Sequence, residues 1–168
     1  GRWLAAARGG GAAWAGRGRW VRGLPWWVKR PPRVAYVGRV ARAGEGGGAG
    51  GLCAVNSFVC MSIDLNAYRR RLSFRTGGLS GPAVRPLAVH LAHQAARTVR
   101  IPVIGIGGIA SAEDAPEFLV AGCAAVQFGT ATFVNPRVIA EIHDGIAAHL
   151  ELRKLSSLRD LPRYLPRD

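Results

Sequence analysis

The chain has 168 residues, 49% hydrophobic and 20% charged, with 23 glycines and 10 prolines. That length suits one domain with a core of its own, is too short for two full enzyme domains, and is too apolar for a wholly disordered chain. The formal charge of +13 is uneven: residues 1–50 carry ten basic side chains against one acidic, residues 51–100 seven against one, and residues 101–168 six against eight. The basic excess is scattered among Gly, Ala and Trp with no reader motif, so it does not read as a nucleic-acid footprint. No apolar run approaches the roughly 18 residues that a membrane-spanning helix needs. Cys53, Cys60 and Cys123 are odd in number and form no C-x-x-C pair, which fits small apolar filler in a reducing cytoplasm rather than a disulfide framework.

Residues 1–24 are a poorly defined Gly/Ala/Arg-rich segment whose glycines break any amphipathic pattern, leaving at most a short helix near Trp14–Leu24. From Pro25 the pattern sharpens, and residues 25–152 read as the folded part. Trp26–Val28 is a short apolar run ended by Lys29 and a Pro-Pro break, the mark of a buried strand and its exit loop. Val34, Val37, Val40 and Ala41 recur at helical spacing until the glycines at 46–48. Leu52–Val55 is a second buried strand, ending at Asn56-Ser57. A polar excursion over 58–77 suggests a hairpin, with arms at 62–65 and 71–74 and a turn near Asn66. GGLSGP at 77–82 reads as a loop leading into a helix over Leu87–Val99.

Pro102–Ile106 is the third strand, closed by Gly107-Gly108. Ser111 is expected to cap the next helix, with Asp114 at the capping-box position and Gly122 at the end. Ala124–Phe128 is the fourth strand, closed by Gly129-Thr130. A last helix spans about 136–152, and 153–168 reads as an irregular basic tail. His90 and His93, three apart on a helix with no acidic or cysteine neighbour in sequence, read as a solvated face; no metal site is expected.

Strand and helix alternating at these spacings imply right-handed βαβ units and a parallel sheet. Four such units make half of a (β/α)8 TIM-type barrel or one small doubly wound sheet, and periodicity alone does not choose. In a barrel, the inward faces are expected to include Trp26, Val28, Val103 and Ile106. The polar and glycine features all fall at the C-terminal ends of the strands, where barrels bind ligands and where the loops after the last strands hold phosphate. Glycines let the backbone approach an anion, and helix N-termini aim N–H groups at it. Gly108 and Gly129 are expected to act alike in this way, with Thr130 adding a hydroxyl. Lys29 is either a surface cap or a cation aimed at an electron-rich ligand. Asn56 and Ser57 offer an amide and a hydroxyl to a small carbonyl-bearing ligand.

The stretch from Thr76 to Pro136, with GGLSGPA, GIGGI and FGTA in it, resembles the C-terminal half of class 1 dihydroorotate dehydrogenases. It is most similar to the type whose catalytic subunit pairs with an iron–sulfur flavoprotein, and the likeness reaches back through GLCAVNSFVCMSIDL to PWWVK. The resemblance implies a (β/α)8 barrel, of which this chain is the C-terminal half, with FMN at its mouth. It implies that Lys29 contacts the flavin ring, that Val55 lines it, and that Gly81, Gly107, Gly108, Gly129 and Thr130 hold the ribityl phosphate. Asn56 and Ser57 match an Asn-Thr pair that hydrogen-bonds the pyrimidine. The implied reaction is FMN-dependent oxidation of dihydroorotate to orotate in pyrimidine biosynthesis, in a cytoplasmic homodimer that associates with an FAD and iron–sulfur electron-transfer subunit.

The family's cysteine base sits in an S-C-P-N-type loop, expected upstream of Gly1, so no catalytic base is assigned within the chain and the isolated chain is expected to be inactive. A start at Gly1 rather than Met is in keeping with a fragment. The alternatives are another FMN- or phosphate-binding barrel oxidoreductase, such as a dihydropyrimidine dehydrogenase relative, and a non-catalytic basic binding module.

Overall fold

A computed structural model describes residues 26–29 and 37–162. The segment 1–24, the short helix suggested near Trp14–Leu24 and the start of the helical pattern at Val34 lie outside the described residues. Four parallel strands form one sheet: β1 (Trp27–Lys29), β2 (Gly51–Ala54), β7 (Val103–Ile106) and β8 (Ala125–Gln127), in the spatial order β1-β2-β7-β8. The register pairs Val28 with Leu52, Leu52 with Val103, and Gly105 with Val126. Helices α1 (Val37–Gly46), α2 (Arg85–Ala96) and α3 (Asp114–Val120) connect successive strands, the arrangement of half a (β/α)8 barrel.

Helix α1 buries Val37, Ala41 and Gly44, one face at helical spacing. Gly44 lets the helix close on the sheet: a Cβ there would stand 3.0 Å from Leu52 Cδ2. The helix stops in a Schellman motif, with Gly48 at φ 83°, its N–H donating to Glu45 O and that of Ala49 to Gly44 O. Helix α3 stops the same way at Gly122, φ 106°, with the Cys123 N–H donating to Phe118 O. The core lies between sheet and helices, where Leu52, Ala54, Ala41, Ala88, Ala92, Ala95 and Phe118 are each fully buried. Small residues on the helices bring them close, and the Phe118 ring fills the place of a side chain at Gly105, 2.4 Å from where a Cβ would sit.

This arrangement corrects the expected inward face. Val28 and Val103 share the helix-facing side with Leu52, and Trp26 packs against that core. Trp27 lies on the opposite side, its ring over Gly51, and Ile106 is on the inward side as expected.

Between β2 and α2 the chain makes two antiparallel ribbons. β3 (Phe58–Cys60) pairs with β6 (Gly77–Leu79), and β4 (Ile63–Asp64) with β5 (Arg69–Arg70). The hairpin therefore exists, but its return arm is at 69–70, because the Asp64 carboxylate accepts the N–H groups of Asn66 and Ala67 and closes the turn early. Gly77–Leu79, expected as loop, is a strand. Helix α2 starts at Arg85 rather than Leu87, since Pro86 fits a first helical turn. A short helix α4 (Ala131–Val134), not foreseen, precedes the long α5 (Val138–Leu152). In the tail, a 3-10 turn at Leu158–Asp160 is closed by a capping box between Ser157 and Asp160. No described helix is long and apolar enough to cross a membrane.

Candidate active site

A cavity of about 510 Å³ opens at the C-terminal ends of β1, β2, β7 and β8. It collects residues from 29 to 138, and all nine site residues singled out in the sequence line it: Lys29, Val55, Asn56, Ser57, Gly81, Gly107, Gly108, Gly129 and Thr130. Most of these stand at strand ends in the sequence; the parallel register is what brings the four ends together.

Lys29 is the last residue of β1 and is exposed at the cavity wall. It stands in register with Cys53, whose thiol is pushed up by burial, an effect partly opposed by the Lys29 ammonium. Val55 is 2% exposed and donates its N–H to Ile106 O at 3.0 Å, tying the β2 and β7 ends together. Asn56 lines the cavity, and its Oδ1 accepts the Ser57 N–H at 2.9 Å, which leaves the amide nitrogen without a hydrogen bond among the described residues. Ser57 packs over Gly78, which the sequence marked only as part of GGLSGPA and not as a site residue.

Two glycine positions differ from what spacing suggested. Gly107 and Gly108 have φ of 131° and 80°, and Cβ atoms there would stand 2.8 Å from Ala88 Cβ and 2.7 Å from the Arg85 nitrogen. Both are glycine because the fold leaves no room. At Gly81, φ 94°, and at Gly129 a Cβ would meet nothing within 4 Å, so both face open space. Among the described residues, the N–H groups of Gly107, Gly108, Gly129 and Thr130 donate no hydrogen bond, so this end of the cavity offers several unengaged donors. The Thr130 hydroxyl donates to Ser80 Oγ at 2.7 Å, fastening the loop after β8 to the loop before α2.

Asp114 makes only half of the capping box that the sequence suggested, its side chain accepting the Ser111 N–H. Helix α3 begins at Asp114 itself, with no side-chain cap from Ser111. The Asp114 carboxylate reaches back to the loop after β7, where Oδ2 accepts the N–H groups of Ala110 at 2.8 Å and Ser111 at 2.9 Å, while Oδ1 pairs with Arg85. The pairing with Arg85 comes from far away in sequence, and no local pattern announces it.

None of the three cysteines lines the cavity, and Cys123, 2% exposed, has its thiol pushed up to about 12 by burial. His93 holds Ala121 O at 2.9 Å through Nδ1, and His90 meets Gln94. Both line a second cleft with His149 on the helix side of the sheet, and the described residues contain no group of three ligating side chains able to hold a metal.

A family model described as dihydroorotate dehydrogenase matches residues 18–150. Among curated proteins, the chain is 48% identical over 134 residues to the dihydroorotate dehydrogenase B (NAD(+)) catalytic subunit of Trichlorobacter lovleyi, covering 80% of this chain and 44% of the relative. The protein of the same description from Bacillus pumilus is 43% identical over 140 residues, covering 83% and 45%. That from Porphyromonas gingivalis is 46% identical over 134 residues, covering 80% and 44%. The chain thus spans somewhat less than half the length of these relatives. With the matched region taking in every strand of the parallel sheet and all nine site residues that line the cavity, the chain belongs to the dihydroorotate dehydrogenase family.

Proposed function

We propose that this chain supplies the C-terminal half of an FMN-dependent barrel that oxidises dihydroorotate to orotate. The observation that carries the proposal is the convergence on one cavity of nine residues spread from 29 to 130. The donor set fits the cofactor: unengaged N–H groups at Gly107, Gly108, Gly129 and Thr130 suit a phosphate, and open space at Gly81 and Gly129 leaves room for it. A bound FMN supplies the hydride acceptor.

The chain's own residues bind and orient. The Lys29 ammonium, exposed at the end of β1, favours negative charge developing on a flavin ring beside it. The buried Val55 side chain gives the ring an apolar wall. The Asn56 amide and the Ser57 hydroxyl hydrogen-bond the pyrimidine carbonyls and hold its ring against the flavin. Proton removal is assigned to the family's cysteine loop, expected upstream of Gly1, while Cys53, Cys60 and Cys123 stand away from the cavity lining. The description "catalytic subunit" in the relatives' names supports assembly with a second, electron-transferring subunit; the reading adds FAD and an iron–sulfur centre on that subunit and a homodimer of the catalytic chain. A cytoplasmic location goes with this reading.

The test is to express residues 1–168, measure bound flavin and dihydroorotate oxidation, then add a separately produced N-terminal half from a relative. The chain alone should bind flavin weakly and show no turnover, and the mixture should oxidise dihydroorotate. Failure of the mixture to retain flavin would remove the FMN assignment; robust turnover by the chain alone would remove the assignment of the base.

A further inference from the structure

Asp114 is the one buried polar or charged side chain among the described residues, 4% exposed. A carboxylate withdrawn from water needs its oxygens satisfied, and here both are: Oδ2 by the N–H groups of Ala110 and Ser111, Oδ1 by Arg85. Arg85 is the first residue of α2 and follows the turn at Pro82–Val84 that leaves Gly81. Its Nε also lies 3.2 Å from Glu117 Oε2. The Gly108 backbone rests directly on Arg85, since a Cβ at Gly108 would stand 2.7 Å from the Arg85 nitrogen and 2.9 Å from its Cα. One carboxylate thus holds two segments beside the cavity, the loop after β7 through two N–H groups and, through Arg85, the start of α2, whose preceding turn lines the cavity at Gly81, Pro82 and Val84.

The chemistry favours a positioning role over a purely stabilising one. A buried ion pair contributes little net stability after its desolvation cost, but it holds its partners in one arrangement, and loss of one partner leaves an uncompensated charge. A lone carboxylate behind an anion site would also repel the anion; Arg85 removes that penalty. We infer that Asp114, paired with Arg85, is a positioning residue that aims the Gly107–Gly108 loop and the Gly81 turn at a phosphate in the cavity. The inference rests on the FMN reading above and deepens it.

The experiment measures FMN and riboflavin affinities of the 168-residue chain by fluorescence titration, with urea unfolding followed by circular dichroism. Riboflavin lacks the phosphate, so a defect in fold or ring pocket moves both ligands, whereas a misaimed phosphate loop moves FMN alone. The unaltered chain should prefer FMN. Asp114→Asn and Arg85→Met should each weaken FMN by about tenfold, with riboflavin unchanged. Arg85→Lys, which keeps the charge, should restore part of the preference. If both substituted chains keep the full preference for FMN, the positioning role is overturned while the FMN reading stands. If the unaltered chain shows no preference for FMN over riboflavin, the phosphate reading falls and this role with it. Loss of the cooperative urea transition in both substituted chains would assign the pair to the fold and overturn the inference as well.

Discussion

The Ser57 side chain occupies the space that Gly78 leaves empty: a Cβ on Gly78 would lie 2.5 Å from Ser57 Oγ and 3.0 Å from its Cβ. Gly78 sits in β6, opposite Val59 of β3, so the ribbon outside the sheet sets the position of a cavity hydroxyl. An alanine at 78 keeps the strand pairing and pushes the hydroxyl aside. Gly78→Ala should weaken orotate binding to the reconstituted barrel by about tenfold, the order of one misplaced hydrogen bond, with flavin content unchanged. Titration of flavin absorbance with orotate reads this directly.

The two phosphate-loop glycines should not behave alike. Gly129 has open space around a Cβ, so Gly129→Val should fold normally and lose FMN. Gly108 has φ 80° and meets the Arg85 backbone, so Gly108→Val should lose FMN and also lower the unfolding midpoint, with backbone strain alone of about 1–3 kcal/mol. Flavin content and thermal melts of both variants check the contrast; equal melts would contradict it.

Lys29 is exposed on both counts that matter, to solvent and to the cavity. Lys29→Ala should therefore change stability by less than about 0.5 kcal/mol, as surface substitutions do. In the reconstituted barrel it should slow flavin reduction by dihydroorotate, which stopped-flow absorbance measures. An unchanged rate would return Lys29 to a surface role.

Cys123 gives stability a dependence on alkaline pH. The buried thiol keeps its proton in the folded chain to about 12, whereas the unfolded thiol titrates near 9.0. Between those values the unfolded state has lost a proton that the folded state retains, so stability is full below about 9 and falls as pH rises toward 12. Cys123→Ala should flatten that part of the profile in urea titrations from about pH 9 to about pH 11. The same burial should make Cys123 inert to iodoacetamide at about pH 8 in the folded chain.

Beyond Val55 and Gly81, which only the family resemblance marked, the sequence by itself determined the parallel strands, the order of strand and helix, and the other seven site residues that meet in the cavity. These are legible because their signals are local: a short apolar run closed by glycine or by Asn-Ser needs only its neighbours to be read. Helix ends at Gly48 and Gly122 are legible for the same reason, since the left-handed stop is written in the glycine that makes it. What only the tertiary structure decided are relations between distant segments. Val28 and Val103 point to the helices rather than inward because α1 and α2 cover that side of the sheet, and a run apolar at every position carries no mark of which face is which. Gly77–Leu79 is a strand because β3 is there to pair with it. Asp114 keeps the Ser111 N–H that its capping-box position predicts and adds Ala110 and Arg85, because folding brings an arginine from the start of another helix beside it and a buried carboxylate needs a partner that neutralises it.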